Sequence, residues 1–101
     1  MLNINDKVYL HIKELKISID KTGFNINRLC RVEAIEPVKS TSGEEIGLYK
    51  LRSIDGKKEY QVYSNDPIWK ISKAEELVPI IKDCHRYDNS LKEQFINKIY
   101  E

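Results

Sequence analysis

The chain has 101 residues, and its 17 Lys and Arg against 16 Asp and Glu give a formal net charge of +1. This length suits one domain with one modest core, and the near-neutral balance excludes the strong whole-chain field that draws proteins to nucleic acid or anionic membranes. With 41% hydrophobic and 33% charged residues, the composition is typical of a globular domain and too apolar for disorder.

The opening residues, MLNINDKVYL, lack the basic segment, apolar run and cleavage site of a secretory signal. No apolar run approaches the roughly 20 residues that span a bilayer. We therefore expect a cytoplasmic protein with no membrane partner, in which both cysteines are thiols. The abundance of Lys, Ile, Asn, Tyr and Glu is typical of AT-rich bacterial, phage or mobile-element genomes.

Apolar residues alternate from Val8 to Ile12, which predicts a strand with one buried face. The alternation continues from Leu15 to Ile19 in the opposite parity, so a bulge or break near Lys13 is needed if both sets are buried. We expect one long bent strand or two short ones, with Tyr9 and His11 pointing outward.

The next segment, DKTGFNIN, predicts a loop in which Gly23 supplies a positive φ. The alternation of Cys30, Val32 and Ala34 predicts another strand. Proline cannot donate to a ladder, so Pro37 should end the pairing or lie at a sheet edge. The polar stretch STSGEEIG predicts an exposed connection.

The stretch YKLRSIDGKKEYQVY predicts a β-hairpin, because Asp55-Gly56 suits a two-residue type I′ turn. Its outer face should carry Lys50, Arg52 and Tyr63. The register that follows pairs Leu48 with Tyr63, Tyr49 with Val62, Lys50 with Gln61, Leu51 with Tyr60 and Arg52 with Glu59.

After the hairpin, Pro67 breaks the ladder and residues 68–71 predict a short strand. Ser72 and Glu75 have the spacing of a capping box, which predicts a single helical turn ahead of LVPI at residues 77–80.

Ser90 and Glu93 repeat the capping-box spacing and open a C-terminal helix whose apolar stripe contains Leu91, Phe95 and Ile99. So short a helix is marginal alone and must dock. It could cover Tyr63 and Trp69 of its own chain, giving a monomer, or exchange with a second copy, giving a dimer.

The opening DKVYL, the hairpin and the closing KAEELVPI together resemble a small SH3-like β-barrel. The resemblance covers residues 6–81 and implies five strands with one helical turn before the last. The expected fold is therefore mainly β, with an SH3-like five-stranded barrel over residues 1–81. An irregular linker and a C-terminal α-helix packed on the barrel fill residues 82–101.

The same resemblance implies binding of protein segments, nucleic acid or modified side chains through aromatic residues beside the loops. The loop KTGFNIN lacks the acidic cluster of the peptide-binding members, and no ALYDY-type opening is present. Recognition of proline motifs is therefore not expected.

No residue spacing in the chain predicts catalysis. A zinc site from His11, Cys30, Cys84 and His85 is disfavoured, because only Cys84 and His85 are close, and immediate neighbours tend to point apart. A nucleophile with an oriented base, a Gly-rich phosphate loop and an HExxH-type motif are all missing from the sequence. We expect a protein that is not an enzyme and that holds no cofactor or metal.

The leading functional hypothesis is a protein-interaction module, because outward aromatic side chains combine large apolar area with few rotatable bonds. A protein partner should contact the outer hairpin face and the neighbouring loops. The residues predicted to bind it are Tyr9, His11, Lys50, Arg52, Tyr63 and Trp69.

Two alternatives remain open. Residues 7–31 hold six basic residues against two acidic ones, which favours an accessory nucleic-acid-binding protein. The acidic segment from Glu33 to Glu45 could instead mimic a phosphate backbone in a small inhibitor of a host or defence enzyme. The residues predicted to contact nucleic acid are Lys13, Lys16, Arg28, Arg31, Lys57 and Lys58.

Overall fold

A computed structural model describes residues 2–101 and places five strands and three α-helices along them. None of these helices is long and apolar enough to cross a membrane. The strands are β1 (Lys7–Ile12), β2 (Leu29–Lys39), β3 (Glu45–Ser53), β4 (Glu59–Tyr63) and β5 (Trp69–Lys73), and the helices are α1 (Leu15–Thr22), α2 (Leu77–Asp83) and α3 (Asn89–Tyr100). The mainly β fold class is confirmed.

The strands form one antiparallel sheet in the order β4-β3-β2-β1-β5. Strands consecutive in sequence pair from β1 to β4, while β5 crosses over to pair with β1. The sheet is not closed into a barrel, because no ladder joins β4 to β5 within residues 2–101. These two strands are its edges.

The hairpin of β3 and β4 has the predicted register at all five pairs, from Leu48 with Tyr63 to Arg52 with Glu59. The predicted type I′ turn is wrong, because Gly56 has a positive φ of 78° and Asp55 does not. Asp55 acts through its side chain, which accepts hydrogen bonds from Ser53 Oγ and from the Lys57 N–H. The N–H of Ser53 donates to the carbonyl of Lys58 at 2.9 Å, which closes the loop.

The predicted break in the first strand lies at Lys13, which has a positive φ of 58°. The second half of the predicted strand is wrong, since Leu15–Thr22 is helix α1. Leu15 and Ile19 are four residues apart and lie on one helical face. Gly23 ends the helix with a φ of 80°, and a Cβ there would lie 2.5 Å from the Tyr87 hydroxyl oxygen.

Strand β2 stays paired with β3 beyond Pro37. Pro37 lies opposite Gly47, and the pairing continues to Lys39. β1 pairs with β2 only at residues 29–31, so the proline lies where β2 has one open edge. A bulge between Val32 and Ala34 shifts the register. Residues 37–46 form the tip of a two-stranded ribbon that extends beyond β1 and β4.

The segment LVPI is not the last strand that the resemblance implied, because residues 77–80 begin helix α2. Pro79 is tolerated there, since the first turn of a helix leaves its N–H groups unpaired. The predicted capping box is also wrong. Ser72 lies in β5, and the short 3-10 turn after it has Lys73 at its N-cap, with no capping side chain.

Helix α3 lies where the sequence predicts, with a different cap. Asp88 accepts a hydrogen bond from the Leu91 N–H at 2.9 Å, so Asp88 holds the N-cap instead of Ser90. The expectation that this helix covers Tyr63 and Trp69 is wrong. Its Phe95 ring lies 4.6 Å from the Phe24 ring and 4.9 Å from the Tyr87 ring, measured between centroids.

Two apolar clusters lie on the two sides of the sheet. The helical cluster joins the three helices to Tyr9 and Leu29, and its members Leu77 and Ile81 are fully buried. The sheet cluster lies among the strands, and its buried residues are Val8, Leu10, Cys30, Val32, Leu51 and Val62. Adjacent residues of β1 therefore enter different clusters, as the period of a strand requires.

Candidate interaction groove between the edge strands

A groove of about 210 Å³ lies between β4 and β5. Tyr49 and Val62 form part of its wall on the β3–β4 side, and Trp69 and Ile71 belong to β5. Leu2 also lines it. Because β4 and β5 each pair with one neighbour, both strands keep an unpaired side. The groove is hereafter the β4–β5 groove.

Tyr63 and Trp69 are brought together by this groove. Tyr63 is the last residue of β4 and is 49% exposed. Trp69 is the first residue of β5 and is partly buried, so the five residues between them form a short connection. Ile68, which the sequence did not single out, is 61% exposed in that connection. Two aromatic residues thus line an open groove, and an exposed isoleucine precedes one of them in the chain.

Asp66 fixes the chain ahead of Trp69. Its Oδ1 accepts hydrogen bonds from the N–H groups of Ile68 and Trp69, each at 2.8 Å. The bond from Trp69 and then the bond from Ile68 lower the pKa of this carboxyl group. The turn therefore positions Trp69 by its backbone. A turn-forming Asn-Asp-Pro run was the only sequence signal for this residue.

Arg28 packs on Trp69 with its guanidinium carbon 4.3 Å from the centre of the ring. Such a cation–π contact holds the ring against the segment before β2. The position of Trp69 is thus set from two directions, by a turn and by an arginine.

Tyr9 and His11 do not lie on an outer surface, and that prediction of their position is wrong. Tyr9 is 2% exposed, stacks on Phe24, and accepts a hydrogen bond at its hydroxyl from the Asn25 N–H. Burial raises its pKa. The residues do point away from Val8 and Leu10, as predicted, but α1, α2 and α3 cover that face.

His11 is 4% exposed, and its Nε2 lies 2.7 Å from Ser72 Oγ. Burial lowers the pKa of its imidazole. Its Nδ1 is buried and has no hydrogen-bond partner within residues 2–101. An unpartnered buried polar group of this kind costs about 1–3 kcal/mol.

Lys50 and Arg52 lie on the outer hairpin face but belong to ion pairs. Lys50 Nζ is 3.0 Å from Glu36 Oε1. Arg52 contacts two carboxylates, those of Glu33 on β2 and Glu59 on β4. These side chains link neighbouring strands, and neither lines the β4–β5 groove.

The residues predicted to contact nucleic acid have varied surroundings. Lys16 pairs with Asp20 at 2.9 Å, and Arg31 donates to the carbonyl of Asn5 at 3.1 Å. Arg28 lies over Trp69. The other three lysines of the set, Lys13, Lys57 and Lys58, are exposed in connections.

Cys30 and Cys84 are buried free thiols. Burial raises the pKa of Cys30 to about 12, which keeps it protonated and a weak nucleophile. Within residues 2–101 no group of three or more His, Cys, Asp or Glu side chains is placed to hold a metal ion. His85 is exposed next to the buried Cys84.

Comparison with protein-family models, with curated proteins and with solved structures finds no match to this chain. The SH3-like resemblance stays a prediction.

Proposed function

We propose that this protein is a non-enzymatic interaction module that binds an extended protein segment in the β4–β5 groove. The observation that carries the proposal is the convergence of Tyr63 and Trp69 on a groove between two strands that are not paired with each other. Both residues belong to the set predicted from the sequence. Lys50 and Arg52 have a different part, because their ion pairs link β3 to the strands beside it.

An extended segment suits this groove for two reasons. The outward sides of β4 and β5 carry backbone N–H and C=O groups that can pair with an added strand. The apolar wall formed by Val62, Trp69 and Ile71 can take alternate side chains of that strand, since successive side chains point to opposite faces.

The proposal includes an open SH3-like barrel as the fold. Three features support it: the antiparallel order β4-β3-β2-β1-β5, the sheet cluster enclosed among four of the strands, and the approach of the two edges across one groove. In such a fold the groove is the seam between the meander of β1 to β4 and the returning strand β5.

Selection from a random peptide library on the immobilised protein tests the proposal. The affinity of a selected peptide is then measured by fluorescence polarisation with the wild type and with Tyr63→Ala. Loss of a central aromatic contact should weaken binding by about 10-fold or more. Tyr100→Ala is the matched control, because Tyr100 is 67% exposed and lies outside the groove.

Equal loss of affinity in the two variants would contradict the proposal. So would failure to select any peptide. Capture from a bacterial lysate supplies a second arm, with and without nuclease. Captured material that disappears with nuclease would move the functional surface to the basic residues.

A further inference from the structure

A second recess, of about 160 Å³, shares Trp69 with the β4–β5 groove. It lies between the end of β1, helix α1 and the segment leading to β2. Its polar lining includes His11, Ser18 and Arg28. It is hereafter the β1–α1 recess.

Arg28 supplies a positive charge that has no acidic partner nearby. Within residues 2–101 no carboxylate lies within 4.0 Å of its guanidinium, and none of the residues lining the recess is Asp or Glu. Arginine stays charged at every accessible pH. Its contact with the Trp69 ring holds the guanidinium at the recess and leaves its N–H groups without a carboxylate.

Hydroxyl groups add further donors to the same lining. The Tyr9 hydroxyl oxygen accepts from the Asn25 N–H, so its own hydrogen remains available to donate. Ser18 lines the recess and is 7% exposed. His11 forms another part of the wall, with its Nδ1 unpartnered among the described residues. The recess therefore combines a fixed cation with neutral donors and lacks a carboxylate.

We propose that the β1–α1 recess binds a small organic anion through an oxyanion group on Arg28. A guanidinium presents parallel N–H groups that match a carboxylate or a phosphate. The volume is close to the roughly 150 Å³ of a cavity that holds one benzene molecule. The ligand is thus an oxyanion on a body of about one ring.

Trp69 provides the readout, because it is the only tryptophan in the chain and it touches the recess. Its fluorescence is followed while benzoate or phenyl phosphate is added, with sodium chloride at equal ionic strength as the reference. These two probes share the ring and differ in the shape of the oxyanion. A saturable change is expected with at least one probe and not with chloride.

Arg28→Gln should weaken the binding of the responding probe by about 10-fold or more. Arg31→Gln is the matched control, because it removes the same charge from a nearby exposed position that does not line the recess. The Arg31→Gln variant should bind the responding probe with the same affinity as the wild type. Circular dichroism confirms that both variants fold.

The proposal is overturned if neither probe gives a saturable change at millimolar concentration, or if the two arginine variants bind equally well. Should Arg28→Gln fail to fold, Arg28→Lys replaces it. Lysine keeps the charge and loses the planar fork, so weaker binding is again expected. Failure here leaves the β4–β5 groove untouched, because peptide binding is scored at Tyr63.

Discussion

Three helices cover one face of the sheet, whereas the strands themselves enclose the other face and leave the β4–β5 groove open. On the helical side, Leu77 and Ile81 are fully buried and α3 completes the cover. On the strand side, Trp69 and Ile71 remain partly exposed. The difference between the two faces lies in how completely their apolar side chains are covered. Both faces contribute fully buried residues to the core, and the strand side leaves apolar area open at the groove.

Replacing a buried leucine in the helical cluster should have the largest effect. Leu77→Ala is expected to lower the free energy of unfolding by about 2–5 kcal/mol, because it leaves a cavity among fully buried neighbours. Ile71→Ala is the matched variant in the groove, where solvent already reaches the side chain, and its cost should be smaller. Urea unfolding measures both. Equal losses of unfolding free energy in the two variants would contradict the difference between the two faces.

Removing the cap of α3 should have an intermediate effect on the helical side. Asp88→Ala is expected to cost about 0.5–2 kcal/mol in urea unfolding, because the Leu91 N–H loses its acceptor. Ser90→Ala should change stability less, since Ser90 lies inside the helix. If Ser90→Ala were the more damaging change, the capping box predicted from the sequence would be correct.

Acid should produce the smallest effect, at the groove. Hydrogen bonds from the Trp69 and Ile68 N–H groups lower the pKa of Asp66. A carboxyl group with a lowered folded-state pKa stabilises the fold above its unfolded pKa of about 3.9. That stabilisation disappears as the pH falls through the folded-state pKa. Trp69 fluorescence should therefore change below about pH 4.

Asp66→Asn should remove this acid-dependent change in Trp69 fluorescence. Asp55→Asn is the control, because the pKa of Asp55 is also lowered, first by its hydrogen bond from Ser53 and then by that from Lys57. Asp55 lies outside the groove. An acid response lost equally in both variants would show that it reports global unfolding and not the turn.

The sequence predicts features that depend on residues close together in the chain. The β3–β4 register follows from alternation and from a turn between residues close in the chain, and all five predicted pairs are present. Helix α1 was missed because Leu15 and Ile19 fit both a strand period and a helix period. The choice is made by contacts of Ile19 with distant parts of the helical cluster, which no local pattern records.

At the candidate site, too, some features follow from the local sequence and others depend on distant contacts. Tyr63 and Trp69 were predicted as partner-binding residues, and the structure places both at the groove. The charge pairs of Lys50 and Arg52 with β2 could not be predicted, because they depend on how β2 is registered across its bulge. The alternation of its strand predicts a surface position for Tyr9, whereas the side chain is buried. The alternation cannot show that helices from distant parts of the chain pack on that face of the strand.

The ribbon tip at residues 37–46 has a consequence for strand pairing between copies of the chain. A two-stranded extension with an open edge is a template on which another copy could add a strand. Here that edge contains Pro37, which offers no N–H, together with the charged Glu36 and Lys39, and Glu45 opens the partner strand. Each feature opposes edge-to-edge pairing. These features make the ribbon edge a poor template for strand addition, although it is unpaired.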